Sequence, residues 1–161
     1  MKRFMILAVV LLLTAMVGNA AIAEETLHPV IMISEVMASN DSVATYPKAD
    51  YTDWVEIFNS GDTAVDLSGW GLSDNPEKPR KWQFPDGTAI RPGEYRVILC
   101  DKEPEKSTDT ELHASFTISR KSGEVIILTD AEGAVHDRIT LPEMKTDTSF
   151  GRNPEDGEHY C

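Results

Sequence analysis

The sequence predicts an all-β protein, and three observations lead to this prediction. Short runs that alternate apolar and polar residues follow one another, separated by glycine, proline, asparagine and aspartate. The turn residues recur about every 8 to 12 residues, which is typical of a sandwich. No long stretch has the helical period. We therefore expect an immunoglobulin-like β-sandwich of about seven to nine short strands, preceded by a signal peptide.

The N-terminus has the pattern of a secretory signal peptide. Two basic residues precede an apolar stretch from Phe4 to Val17, and small residues follow as far as Ala23. The stretch is shorter than the roughly 20 residues that a membrane-spanning helix needs, and two glutamates follow it. We expect cleavage after Ala23, secretion to the cell surface or medium, and no integral membrane span in the mature chain.

These features divide the chain into a signal peptide over residues 1–23, a short segment over residues 24–29 and one sandwich domain over residues 30–161. The signal peptide holds two of the 15 basic residues and none of the 27 acidic ones, so the mature chain has a net charge of −14. A negative net charge of this size repels the phosphate backbone of nucleic acids, so we expect no nucleic-acid partner.

The sequence from Val30 to Leu72 predicts the first three strands. The run VIMISEVM predicts a strand that ends near Met37, and the polar segment Ser39–Tyr51 predicts a loop. The next strand is predicted at Asp53–Asn59, whose side chains alternate between two faces: Val55 with Ile57, and Trp54 with Glu56 and Phe58. The run Val65–Leu72 predicts a strand with a bulge or tight bend at Gly69.

The middle of the chain continues the pattern. Lys81–Phe84 predicts another short strand. Pro85–Gly87 and Pro92–Gly93 predict turns, because proline fixes φ and glycine admits positive φ. A further strand is predicted at Tyr95–Cys100.

The charged segment Asp101–Glu111 predicts an exposed loop of solvated residues. Alternation resumes at Ala114–Ile118, and Val125–Leu128 predicts the most buried strand. Asp130–Gly133 predicts a hairpin turn that leads into a strand at Val135–Ile139.

The sequence contains none of the common catalytic motifs. GxSxG, HExxH and SxxK are absent, as are a phosphate-binding loop and a zinc-spaced cysteine pair. The four histidines are scattered along the sequence, and we expect each to occupy an isolated surface or loop position: His28, His113, His136 and His159. We expect no enzymatic activity, no catalytic residue and no cofactor. Calcium is a minor alternative, since no acidic segment has the spacing of a calcium loop.

Seven residues are candidates for a structural or interaction role: Glu35, Trp54, Glu56, Asn59, Trp70, Asp74 and Trp82. Both glutamates interrupt strands and share a face with apolar neighbours, Glu35 with Ile33 and Met37. A buried carboxylate needs a partner, and the candidate donors are backbone groups or Arg80, Lys81 and Arg138. Packing in the core or on a sheet face is the preferred interpretation of the tryptophans, and a carbohydrate platform is the alternative.

Cys100 and Cys161 are the only cysteines. An exported pair can oxidise to a disulfide, which requires the two Cα atoms to lie within about 7 Å. Because Cys161 is the last residue, two unpaired thiols are the preferred interpretation.

Several blocks together resemble the lamin tail domain in the form found in exported bacterial proteins. The resemblance spans about Ile31 to Arg152 and rests on these blocks in order: Trp54-Val55-Glu56 with Asn59, Leu67-Ser68-Gly69-Trp70, Leu72-Ser73-Asp74, Phe84-Pro85-Asp86-Gly87-Thr88 and Pro92-Gly93. It implies an immunoglobulin-like, non-catalytic module that binds a protein or cell-envelope component.

The C-terminus departs from the family pattern. Beyond Leu141 the strand pattern fades to Ser149–Arg152 and a polar end, so we expect the last edge strand to be missing.

We expect an extracellular interaction or scaffolding module. The alternatives are a carbohydrate-binding module or the N-terminal accessory module of a larger exported enzyme, such as a spore-coat-protein-H-like kinase or a hydrolase.

Overall fold

The computed structural model describes residues 30–43 and 51–153, and the backbone of residues 159–160. The signal peptide, residues 24–29, part of the loop before the second strand and Cys161 lie outside the described residues. The strands are β1 (Ile31–Met37), β2 (Asp53–Asn59), β3 (Val65–Asp66), β4 (Gly71–Ser73), β5 (Trp82–Gln83), β6 (Ala89–Ile90), β7 (Tyr95–Cys100), β8 (Leu112–Ala114), β9 (Val125–Thr129), β10 (Val135–Thr140), β11 (Ser149–Arg152) and β12 (His159–Tyr160).

Two sheets form the sandwich. The larger has six strands in the order β12-β11-β1-β2-β7-β8, and the smaller has four in the order β10-β9-β4-β5. A two-stranded ribbon pairs β3 with β6. Neighbouring strands are antiparallel except β7 and β8. The prediction of an immunoglobulin-like sandwich is confirmed, with more strands than expected because several contain only two residues.

The core lies between the two sheets, because residues from both contribute to one buried cluster. Val55 and Ile57 of β2 meet Leu72 of β4 and Ile126 and Leu128 of β9 there, each 0% exposed. Burying one such aliphatic side chain contributes about 1.5–3 kcal/mol. The prediction of a strongly buried strand at Val125–Leu128 agrees with the position of β9 in the middle of the small sheet.

A bulge in β1 decides which of its side chains enter the core. The register with β2 shifts between Ile33 and Glu35. Ile33 faces the core before the bulge and Val36 faces it afterwards. The prediction that Glu35 shares a face with Ile33 is therefore wrong, because strict alternation takes no account of the extra residue. Glu35 shares the opposite face with Met37.

The bulge also creates a buried polar link between the sheets. The Ile33 N–H donates to Asp137 Oδ2 of β10 at 2.7 Å. Arg152 of β11 donates from Nη1 to both oxygens of Asp137, at 2.8 and 3.1 Å. Asp137 is 8% and Arg152 9% exposed. Three strands from two sheets thus depend on one ion pair.

The residues after Leu141 form more structure than their sequence indicates. Strand β11 pairs with β1, matching Gly151 with Glu35 and Ser149 with Met37. Its Phe150 packs against the core. Beyond it, β12 takes the edge position that the sequence pattern left empty.

The segment Asp101–Glu111 is not merely a solvated loop, and His113 is not at the surface. His113 is 1% exposed. Its Nδ1 lies 2.7 Å from Asp101 Oδ2 and its Nε2 lies 3.1 Å from Glu111 Oε1. A carboxylate beside each ring nitrogen favours a proton on each, which stabilises the imidazolium form of the ring. Sequence reasoning missed this contact because Asp101 lies twelve residues before the histidine.

Candidate functional site

The six-stranded sheet has one face in the core and one outer face. On β2, Trp54, Glu56 and Phe58 alternate with the core residues, so they lie on the outer face. Their neighbours on that face come from β1, where Met32 precedes the bulge and Glu35 and Met37 follow it, and from β7. We call this set the sheet-face patch: Met32, Glu35, Met37, Trp54, Glu56, Phe58, Tyr95, Val97 and Leu99.

One end of the patch is a small hydrophobic cluster separate from the core. Trp54 pairs in register with Met37 on one side and Leu99 on the other. The three side chains pack together, with Val97 against them. Trp54 is 7% exposed, and its indole N–H has no acceptor among the described residues. Trp54 therefore packs on the outer face of the sheet.

The other end of the patch carries two stacked aromatic rings. Phe58 and Tyr95 are partners in register, and their centroids lie 4.4 Å apart at an interplanar angle of 27°. Tyr95 is 51% exposed. Aromatic pairs of this kind supply large apolar contact area and are enriched in binding surfaces.

Between these ends lie the two glutamates, directly opposite each other across β1 and β2. The Ser34 hydroxyl donates to Glu56 Oε1 at 2.9 Å, and the Ser149 hydroxyl donates to Glu35 Oε1. Burial raises the pKa of Glu56, the Ser34 hydrogen bond lowers it, and the charge of Glu35 raises it again, with a net increase.

The partners expected for these glutamates are not the ones observed. Arg80 instead donates to the Gly69 carbonyl at 2.7 Å, and Lys81 pairs with Asp74 at 2.8 Å. For Arg138, the described interactions involve its backbone rather than its side chain. Serine hydroxyls take the place of all three cations at the two glutamates, because β1 and β11 bring Ser34 and Ser149 there.

A groove of about 410 Å³ borders the patch beside β7. Tyr95, Val97 and Leu99 form its apolar side, and Glu94 and Glu111 are acidic residues in its lining. The strand pattern of the sequence already placed the three apolar residues on one face. It gave no signal for Glu111, which reaches the groove because β8 runs parallel to β7.

Two of the other candidate residues serve the interior. Asn59 is fully buried, and its Nδ2 donates to the carbonyls of Thr63 and Ile90. Trp82 is 6% exposed and packs against Phe84 with ring centroids 4.7 Å apart. Because Trp54 is also buried, the three tryptophans do not form an exposed platform. The carbohydrate alternative loses the feature on which it rested.

Trp70 and Asp74 lie away from the patch. Trp70 is half-buried, and its ring lies 4.7 Å from the ring of His136. Asp74 is held by its ion pair with Lys81. The structure therefore brings together only Glu35, Trp54 and Glu56 of the seven candidates.

Other kinds of site receive little support. No cluster of three or more metal-ligating residues occurs in residues 30–43 and 51–153. In that same part of the chain, no helix has the length and apolar character needed to cross a membrane. Cys100 is a fully buried free thiol, and burial raises its pKa well above the usual range. Cys100 is therefore an unreactive thiol in the core.

Comparison with known proteins identifies the family. A search of curated proteins finds no match. The family model described as Lamin Tail Domain matches residues 25–143, more than half of the chain. This family is an immunoglobulin-like, non-catalytic domain involved in interactions. The match agrees with the sandwich and with the sequence blocks described above, and the chain therefore belongs to the lamin tail domain family.

Proposed function

We propose that this chain is an exported, non-catalytic interaction module that binds a protein of the cell envelope or its surroundings. The proposal combines the interaction role of the family with the secretory signal pattern at the N-terminus. The binding surface is the sheet-face patch.

One observation carries the assignment to this surface. The patch places the half-exposed Tyr95 and its stacked partner Phe58 next to Val97 and a groove of about 410 Å³. Aromatic residues beside a groove with an apolar wall are a usual energetic centre of a protein interface, because they bury a large area at little entropic cost.

Capture from cell-envelope extract tests the proposal. The tagged full-length chain is incubated with detergent-solubilised envelope of the producing organism, and bound proteins are identified by mass spectrometry. The Tyr95→Ser, Val97→Ser double variant should lose at least about tenfold of the captured partner, since truncating a central aromatic residue costs about 2 kcal/mol or more.

Val135→Ser is the matched control. Val135 is 60% exposed and lies on β10 of the other sheet, so this variant should capture the same partner as the parent. Equal capture by the parent and the double variant would rule out the patch as the binding surface. Recovery of only the unprocessed chain from the cytoplasm would contradict export.

A further inference from the structure

Glu35 and Glu56 differ from the other acidic side chains of the fold. Every other buried or half-buried carboxylate in residues 30–43 and 51–153 either pairs with a cation or accepts a backbone N–H. Cations pair with Asp74, Glu94, Asp101, Glu103, Glu111 and Asp137. Backbone N–H groups donate to Asp53, Glu124, Asp130 and Asp147. The two glutamates each receive only a serine hydroxyl from the described residues.

This arrangement is unfavourable for the isolated domain. The two residues are Cα partners in an antiparallel pair, which places their side chains side by side on one face. Like charges in that position repel each other. Both side chains are half-buried, so water screens the repulsion only in part. A carboxylate offers about four acceptor positions, and one hydroxyl leaves most of them unused.

A second unmet polar group lies on the same face. Trp54 precedes Glu56 by two residues on β2, is more than nine-tenths buried, and its indole N–H has no acceptor among the described residues. On the other side of Glu56 stand the stacked rings of Phe58 and Tyr95. The face thus offers carboxylates and aromatic rings for a cation.

We infer that the carboxylates of Glu35 and Glu56 form a socket for an arginine or lysine side chain carried by the partner protein. This inference rests on the proposed function and names the chemistry of its binding surface. A guanidinium or ammonium group would contact both carboxylates and lie close to the aromatic rings. The net charge of −12 attracts such a partner over longer distances.

A metal ion is the less suitable occupant. Calcium takes six to eight oxygen ligands, and the patch contributes two carboxylates and no third metal-ligating residue in the described part of the chain. A single cationic side chain requires only the two carboxylates that are present.

Binding of a hexa-arginine peptide amide to the full-length chain tests the inference. The titration is performed at about 150 mM salt, which screens nonspecific attraction. Amide and indole resonances are followed by NMR, and the Trp54→Phe variant assigns the indole signal of that residue. The peptide should shift the Trp54 indole and the amides of β1 and β2 around the two glutamates.

Two pairs of substitutions separate a local socket from net charge. Glu35→Gln with Glu56→Gln should weaken peptide binding at least about tenfold, as expected for a close charge pair. Glu77→Gln with Glu132→Gln removes the same charge from exposed positions outside the patch and should change binding less than about twofold. Circular dichroism verifies that both variants are folded.

Four results would overturn the inference. The first is equal weakening by both variants, which would make the attraction general. The second is peptide-induced shifts confined to residues outside the patch. The third is saturation of the same resonances by calcium chloride without any response to the peptide, which would assign the glutamates to a metal. Should the peptide not bind while envelope capture still depends on Tyr95 and Val97, the socket is refuted and the proposed function stands.

Discussion

His113 lies inside the fold between two carboxylates. Burial lowers its pKa, but the hydrogen bonds to Asp101 and Glu111 and the two negative charges outweigh burial, so the pKa is raised from the ordinary 6.5. In the unfolded chain the pKa returns to about 6.5. The stability contributed by the imidazolium is therefore complete below about pH 6.5 and is lost as pH rises through the folded-state pKa.

Glu111→Gln tests this prediction. The amide keeps the shape of the side chain but removes one negative charge, so the His113 pKa should fall and stability should depend less on alkaline pH. Urea unfolding at pH 6 and pH 9, together with an NMR titration of the imidazole, measures both effects. Glu105→Gln, an exposed change in the same loop, is the control. If it lowers the His113 pKa as much as Glu111→Gln does, the ion pair is not the cause.

At the residue scale, local pattern predicted burial better than it predicted contacts. The alternation in DWVEIFN separated Trp54 and Glu56 from Val55 and Ile57, as the structure has them. The hydroxyl donors to the glutamates could not be predicted, because Ser149 is 114 residues from Glu35. A pattern along one strand contains no information about which distant strand becomes its neighbour.

Among the strands, β4 depends on a glycine for close packing. A Cβ at Gly71 would lie 2.4 Å from Thr129 Oγ1 and 3.0 Å from the Arg80 Cα. Thr129 is fully buried, so its side chain has little room to move. Gly71→Ala should therefore destabilise the protein by about 1–3 kcal/mol, the range for overpacking a core. Urea denaturation measures the loss, and Thr129→Ala in the same chain should recover part of it.

Gly61→Ala is the control for this prediction. Its Cβ would lie 2.6 Å from Val30 Cγ1, but Val30 is 46% exposed and its side chain can turn away. We expect a change within about 0.5 kcal/mol, as for an ordinary surface substitution. Replacing glycine by alanine lowers the entropy of the unfolded chain and does not by itself destabilise at these positions. A loss at Gly61 equal to that at Gly71 would therefore show that crowding against Thr129 is not the specific cause of the effect.

Strand prediction succeeded for long runs of alternating apolar and polar residues. It failed for segments that are strands only because neighbouring strands supply their hydrogen bonds. The predicted bounds of the strands at Asp53 and Tyr95 match β2 and β7. Strand β11 has four residues, of which only Phe150 is a large apolar residue. It is a strand because β1 and β12 supply its hydrogen bonds. The bulge in β1 was missed because its extra residue interrupts the two-residue alternation of side chains within a single strand.

For the whole molecule, the boundary of the folded unit lies beyond the family match. The match ends at residue 143, whereas β11 begins at Ser149 and pairs with β1. A chain ending at Glu143 would leave one side of β1 open and Asp137 without Arg152. Breaking a buried ion pair costs about 3–5 kcal/mol, a large part of the 5–15 kcal/mol that stabilises a domain.

We therefore expect residues 1–143 to lack a cooperative urea transition and a near-ultraviolet circular dichroism signal. Residues 1–153, which retain β11 and Arg152, should show both. Cooperative unfolding of the shorter chain at the midpoint of the full-length protein would disprove the requirement for β11.

The pairing of β1 with β11 also determines when the large sheet can form during synthesis. One side of β1 pairs with the nearby β2, but its other side stays open until a segment more than a hundred residues later is available, and closing so long a loop carries an entropic cost. For a chain exported as proposed here, this delay favours completion of the large sheet after the polypeptide has passed through a translocation channel. Strand β11 would then complete the large sheet on the far side of that channel.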